Sequence, residues 1–136
     1  LREEVTIDSQ SDLEVVPMHY NIFKEVYGNA GIPLSDISLF SSAHSVLSES
    51  RKLMCFSAIY DSEIIGALWV LCYQNNMYNW YCASKTEFLN KYPNDYLVWK
   101  AIEWGADNNF KSFDLGGAGN PYTEYGVRNF KKKFLI

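Results

Sequence analysis

The sequence predicts an α/β domain in which a mixed sheet, containing an antiparallel meander, is flanked by helices on both faces. Three β-rich runs follow one another in the middle of the chain, and helical periodicity precedes and follows them. The chain has 136 residues, of which 48% are hydrophobic, and these are the length and composition of one globular domain. We therefore expect a single domain over residues 1–136.

Two helices are predicted ahead of the sheet. Residues 12–28 carry apolar side chains at helical spacing, and the glycines that follow Tyr27 are expected to end this helix. Ser35 is expected to cap a second helix that has Phe40 and His44 on its apolar face. On such a face, His44 is predicted to be a packed residue rather than a metal ligand.

The predicted meander consists of the runs 53–60, 63–73 and 77–84, which two short polar turns separate. The second run is apolar on both of its faces, as expected for a strand that helices cover on both sides. Side chains alternate along a strand, so Trp80 and Tyr81 are predicted to point to opposite faces, and only one of them would line a cleft.

The segment after the meander predicts a third helix and then a short strand that runs into glycines. Residues 94–110 regain helical periodicity, with Asn94 or Asp95 as the expected cap. The glycines around Gly116 and Gly117 match neither G-x-G-x-x-G nor a loop that continues into Lys-Ser/Thr. We therefore expect a sharp turn that forms one wall of a ligand cleft at the strand end, and not a phosphate cradle.

Charge and cysteine content exclude several classes of function. The net charge of −4 offers no general attraction to DNA or to an anionic membrane. The three cysteines have no paired spacing, which favours a reduced, cytoplasmic protein with buried thiols. No His, Cys and Asp residues have the spacing of metal ligands, and no signal peptide or membrane span is visible in the sequence.

The order of elements resembles a GNAT-type acyltransferase domain, and its details resemble the FemAB-like branch of that fold. The similarity rests on three segments, "EIIGALWVLCY", "PNDYLVWKAIEWGADNNFKSFDLGGAGNP" and "EYGVRNFKKKF", and covers nearly the whole chain. That branch includes enzymes that add amino acids to peptidoglycan precursors and relatives regarded as acetyltransferases. Because the sequence closes on the apolar "FLI", we expect a fragment of a longer FemAB-like protein, with a possible companion GNAT-like domain.

The resemblance implies transfer of an aminoacyl or acyl group to an amine of a cell-envelope or carbohydrate precursor by direct attack. Lys131 would then supply positive charge for the oxyanion or for a substrate phosphate. Tyr125 would donate a hydrogen bond to the substrate. Asp114 would act as the base or would orient Lys131, and fixing the glycine turn is an equally open role for it.

The resemblance also implies a set of substrate-binding residues. Phe130 would lie at the junction of donor and acceptor, Gly116 and Gly117 would form a wall, and Tyr81 would contact substrate. Arg128 would hold an anionic group, although a solvated basic face around it is an equally open alternative.

The acyl donor is left open between aminoacyl-tRNA and acyl-CoA. The resemblance implies that a domain using coenzyme A would carry a glycine-containing loop ahead of the third helix. The segment at that place, "ASKTEFLNKYPND", contains no glycine. FemAB-type proteins lack that loop and take the amino acid from charged tRNA, which the acidic charge of this chain does not favour. The alternatives are a coenzyme-A-dependent N-acetyltransferase and a non-catalytic binding domain. The acceptor would be a small molecule or a peptidoglycan precursor, and no resident cofactor is expected.

Overall fold

A five-stranded sheet forms the centre of the computed structural model, which describes residues 4–115. The strands lie side by side in sequence order; β1 to β4 are antiparallel, and β5 runs parallel to β4. The predicted mixed sheet with an antiparallel meander is confirmed. The strand bounds are β1 Thr6–Ser9, β2 Leu53–Tyr60, β3 Glu63–Tyr73, β4 Asn76–Ser84 and β5 Ser112–Asp114.

Three α-helices cover the sheet on its two faces. Helix α1 (Val15–Ala30) and helix α2 (Ile37–Leu47) pack on one face, and helix α3 (Pro93–Asp107) packs on the other. A short 3-10 helix (Thr86–Lys91), which the sequence did not predict, connects β4 to α3. Helices therefore flank both faces, as predicted.

Two helix boundaries differ from the predicted ones. Helix α1 continues past Gly28 to Ala30, and Gly31, one of the glycines expected to end it, is its C-cap in the left-handed conformation that glycine tolerates best (φ 70°). Helix α2 is capped by Asp36 and not by Ser35, because the Asp36 carboxylate accepts a hydrogen bond from the backbone N–H of Ser38 at 3.0 Å.

The start of α3 also differs from prediction. Neither Asn94 nor Asp95 is the N-cap; the helix begins at Pro93, and Tyr92 precedes it in a left-handed conformation (φ 57°). A proline at the first helical position is favourable, since its fixed φ suits the helix and its missing N–H would have no partner inside the helix.

Strand β1 is the element that the sequence did not reveal. Its four residues pair with β2 between Thr6 and Ile59 at one end and between Ser9 and Phe56 at the other. Three of the four residues are exposed, so the strand has neither the length nor the apolar alternation that would mark it.

The central strand β3 has buried residues on both faces, as predicted. Trp69 packs in the core under α1 and α2, whereas Leu68 and Val70 pack in the core under α3. The predicted burial of thiols is confirmed for Cys55 and Cys72. Burial raises the pKa of both thiols, that of Cys72 to about 11, so they stay protonated and unreactive near neutral pH.

Within residues 4–115, no helix has the length and apolar character to cross a membrane. The same residues contain no cluster of His, Cys, Asp and Glu side chains that could hold a metal ion.

Candidate active site

A β-bulge in β4 is the main irregularity near the edge of the sheet. Across β3 and β4, Trp69 pairs with Tyr81 and Val70 pairs with Asn79, so Trp80 is an extra residue without a register partner. The extra residue cancels the alternation of side chains. Trp80 and Tyr81 therefore lie on the same face, with ring centroids 5.1 Å apart, and the prediction that they point to opposite faces is wrong.

The bulge builds an aromatic wall, which we define as Tyr27, Phe40, Trp80 and Tyr81. Tyr81 lies 4.8 Å from Phe40 and 5.7 Å from Tyr27 between ring centroids, and Trp80 stacks on Phe40 at 5.8 Å. Phe40 is fully buried, whereas the other three side chains are half-buried. The wall is thus anchored in the core and keeps part of its surface accessible.

Within residues 4–115, β5 pairs with only the first part of the outer edge of β4. Strand β5 pairs only with Asn76, Met77 and Tyr78, so residues 79–84, which we call the β4 edge, have no further strand beside them within the described part of the chain. Backbone N–H and C=O groups on such an edge can bind an extended ligand. Ligands of α/β sheets also bind beyond the carboxyl ends of parallel strands, and here β5 ends at the exposed Asp114.

Side chains from β4 and α3 meet on the opposite face of the β4 edge. The Ser84 hydroxyl donates a hydrogen bond to Asn94 Oδ1 at 2.5 Å, and the Cys82 thiol approaches the same oxygen at 3.6 Å. Gly66 pairs with Ser84 and leaves room for this contact, because a Cβ at Gly66 would lie 2.5 Å from Ser84 Oγ and 3.2 Å from Leu97. The contact fixes the start of α3 against the end of β4.

The start of α3 has few of the features that bind a diphosphate. Pro93 contributes no N–H, and the carboxylate of Asp95 lies in the first turn, where an anion would otherwise be attracted. The segment before the helix is the 3-10 helix 86–91, which contains no glycine and therefore forms no glycine loop. At this position a diphosphate would lack one backbone N–H donor and would be repelled by the negative charge of Asp95.

Two of the sequence-predicted site residues lie in the described part of the chain. Tyr81 belongs to the aromatic wall, and Asp114 pairs in register with Tyr78, three residues before Tyr81 along β4. Both residues therefore belong to one pair of parallel strands. The other predicted site residues lie outside the described residues: Gly116, Gly117, Tyr125, Arg128, Phe130 and Lys131.

Sequence reasoning missed the contributions of Trp80, Phe40 and the Ser84–Asn94 contact. The adjacent aromatic residues in "NWYCAS" are the only sequence signal of the bulge, since an aromatic pair in a half-exposed strand departs from apolar-polar alternation.

Comparison with known proteins identifies the family of the chain. The family model described as "Acetyltransferase (GNAT) domain" matches residues 2–124. No curated protein matches the chain significantly by sequence.

Solved structures of other proteins share the fold at low sequence identity. An aminoglycoside acetyltransferase from an uncultured soil metagenomic sample, in complex with sisomicin, is 14% identical with a TM-score of 0.75, covering 97% of this chain and 88% of that chain. A predicted acetyltransferase with acetyl-CoA from Clostridium acetobutylicum is 12% identical with a TM-score of 0.74, covering 97% and 90%. FemX is 15% identical with a TM-score of 0.82 over 95% of this chain, which spans about half (49%) of FemX.

Proposed function

Because the chain belongs to the acetyltransferase (GNAT) domain family, we propose that it transfers an acyl group to an amine at the β4 edge. The observation that carries the location is the bulge at Trp80. It lies just beyond the last β4 residue that pairs with β5 in the described part of the chain, and it brings two aromatic side chains to one face. An open strand edge next to a partly accessible wall offers both main-chain hydrogen bonds and a surface for the acceptor.

The proposed reaction is direct nucleophilic substitution at the acyl carbonyl. The neutral amine nitrogen forms a bond to the carbonyl carbon, the carbonyl π electrons move to oxygen, and a tetrahedral oxyanion results. Its collapse breaks the bond to the donor's leaving group, and the amine loses a proton to a base or to water. The site must therefore supply a base, donors for the oxyanion and alignment of the two substrates.

We assign these roles as the sequence suggests them. Lys131 supplies positive charge to the oxyanion, and Tyr125 donates a hydrogen bond to the substrate. Asp114 takes the proton or orients Lys131; its exposed position at the end of β5, next to the β4 edge, supports a role at the reacting groups. The assignments of Lys131 and Tyr125 rest on sequence motifs alone.

The acceptor is proposed to be a small amine, such as an amino sugar or a cell-envelope precursor. The aromatic wall supports an amine, since the faces of Tyr81 and Trp80 attract a cationic group before it is deprotonated. The similarity to an acetyltransferase bound to an aminoglycoside supports a polyamine sugar as the first acceptor to test. Phe130, Arg128, Gly116 and Gly117 are proposed to complete the substrate surface.

Coenzyme A is the donor that the family implies, but the start of α3 does not fit its diphosphate. A diphosphate at this helix start would need backbone N–H donors and no nearby negative charge. Pro93 lacks an N–H, and Asp95 places a carboxylate in the first turn. We therefore propose that any thioester donor is held by its acyl arm along the β4 edge rather than by its diphosphate. Charged tRNA is the alternative donor. The similarity to about half of FemX supports a shared fold and does not identify the donor.

We also propose that the chain is FemAB-like, that a companion GNAT-like domain exists and that the acceptor is related to peptidoglycan. These proposals are supported by the sequence segments named above and by the share of FemX that this chain spans. A cytoplasmic setting is supported by the three cysteines, all of which are free thiols.

The test is an acyl-transfer assay read by mass spectrometry on a panel of small amines. The panel is offered acetyl-CoA, acetyl-pantetheine (the same thioester arm without the nucleotide) and charged tRNA in turn. We expect an N-acylated product. We also expect kcat/KM for the two thioesters to agree within about tenfold, because contacts of the diphosphate with the start of α3 contribute little binding free energy. A preference for acetyl-CoA of 10³-fold would contradict the donor proposal. Failure of all three donors to acylate any amine would contradict the proposed function.

A further inference from the structure

A second cleft lies at the opposite edge of the sheet, away from the β4 edge. It has a volume of about 700 Å³ and is bounded by the end of β1, the start of β2 and the C-terminal half of α2. Its surface is rich in hydroxyl and amide groups, from Ser9, Gln10, Ser11, Ser45 and Ser48. It has no residue in common with the aromatic wall.

His44 is a buried lining residue of this cleft with unmet hydrogen-bonding capacity. Only 5% of its surface is exposed, and its Nε2 has no hydrogen-bond partner among residues 4–115. The ring packs beside Trp69, with centroids 6.4 Å apart, so it is packed as predicted and is also fixed in position. Because Nε2 is itself enclosed, the His44 ring is a fixed reporter beside the cleft rather than a group that binds a ligand directly.

A buried chain of hydrogen bonds fixes the orientation of Gln10 in the same cleft. The Trp69 indole N–H donates to His19 Nδ1 at 2.8 Å, which leaves the ring proton on Nε2. His19 Nε2 then donates to Ser57 Oγ at 2.6 Å, and the Ser57 hydroxyl donates to Gln10 Oε1 at 2.7 Å. With its oxygen engaged, Gln10 retains its NH₂ group as the donor for a ligand.

His19 is neutral in this chain, in keeping with the direction of the hydrogen bonds. Burial, and to a lesser extent the charge of nearby His44, lowers the pKa of His19 to about 3. The relay therefore keeps one orientation across the neutral range, and Gln10 is a permanent donor.

Two charged side chains stand at the rim of the cleft. Arg51 is exposed and forms no ion pair within the described part of the chain, and its left-handed backbone (φ 58°) is set by a hydrogen bond from its N–H to Ser48 O. Glu49 lies on the same rim and adds one negative charge. A guanidinium binds a carboxylate by two parallel hydrogen bonds, whereas the carboxylate of Glu49 repels a second negative charge on a ligand.

From these groups we propose that the cleft binds a carboxylate group that carries one negative charge. This site is separate from the acyl-transfer site. Arg51 pairs with the carboxylate, and the Gln10 NH₂ group donates a hydrogen bond to it. The carboxylate belongs either to a free small acid or to the C-terminus of a peptide, since both present the same group.

The test uses the whole chain and follows the ring protons of His44 by NMR during titration. The probes are acetate, N-acetylalanine and an acetylated tripeptide acid, and N-acetylalaninamide is the matched neutral probe. We expect the acids to shift the His44 signals with dissociation constants on the order of millimolar, as for ligands of few atoms. The amide should produce no shift. Tighter binding of the tripeptide than of acetate would identify a peptide C-terminus as the source.

Two variants test the donors, and a third serves as control. Gln10→Glu keeps the acceptor for Ser57 but removes the NH₂ donor, and Arg51→Gln removes the guanidinium; each should weaken carboxylate binding by at least about tenfold, the effect of losing a hydrogen bond to a charged group. Lys52→Gln removes a neighbouring charge that does not line the cleft and should change binding by less than about twofold. Equal shifts with acid and amide, or unaltered binding in both cleft variants, would overturn the proposal.

Discussion

Replacing Phe40 by alanine is expected to lower the free energy of unfolding by about 3–5 kcal/mol, the range for truncating a buried phenylalanine. Phe40 is fully buried and contacts five other rings from α1, β3 and β4, so it joins α2 to the bulge in β4. Its partners are Tyr20, Phe23, Trp69, Trp80 and Tyr81. Denaturant unfolding measures the loss. Acyl transfer should fall as well, because the half-exposed rings of the aromatic wall lose their support.

The control for this change is Val46→Ala on the same helix. Val46 is 73% exposed, so its truncation should change the free energy of unfolding by less than about 0.5 kcal/mol. A similar small effect of Phe40→Ala would mean that the aromatic wall is not held by the core.

Asp114→Asn is expected to lower kcat for acyl transfer by roughly 10²-fold or more, the contribution of a general base, with little change in stability. The carboxylate is exposed at the end of β5, so its replacement by the isosteric amide leaves the packing intact. Single-turnover kinetics on a competent amine measures the effect.

Asp8→Asn provides the control, since Asp8 is an exposed strand carboxylate at the opposite edge of the sheet. It should leave kcat unchanged. If Asp114→Asn also leaves kcat unchanged, the proposed role of Asp114 at the reacting groups is contradicted. A Lys131→Ala change on top of Asp114→Asn should add little if the two residues act as one unit.

The sequence predicted most elements because their periodicity is strong. The three strands of the meander begin and end within a residue of the predicted bounds, since short polar turns separate long apolar runs. Strand β1 was missed because its neighbours in the sheet, and not its own four residues, make it a strand. The cap of α3 was wrong because the backbone conformation of Tyr92, which no propensity favours, decides where that helix begins.

The candidate site was less predictable than the fold. Asp114 and Tyr81 were predicted from motifs and stay predictions, and the shared face of Trp80 and Tyr81 depends on a bulge that strand alternation cannot reveal. The cleft at Gln10 and His44 joins residues from three separate segments, and the donor role of Gln10 follows only from the hydrogen bonds that reach it through Ser57. Such long-range contacts have no local sequence signal.

Mapping the donor onto the backbone by amide NMR tests the central claim most directly. The chain is titrated with the acyl donor that supports transfer, and the shift of each assigned backbone amide is followed. We predict that the largest shifts lie in residues 79–84 of β4, which pair with β3 on one side and with no described strand on the other. Shifts centred on His44 and the β1–β2 edge instead, with residues 79–84 unchanged, would contradict a transfer site at the β4 edge.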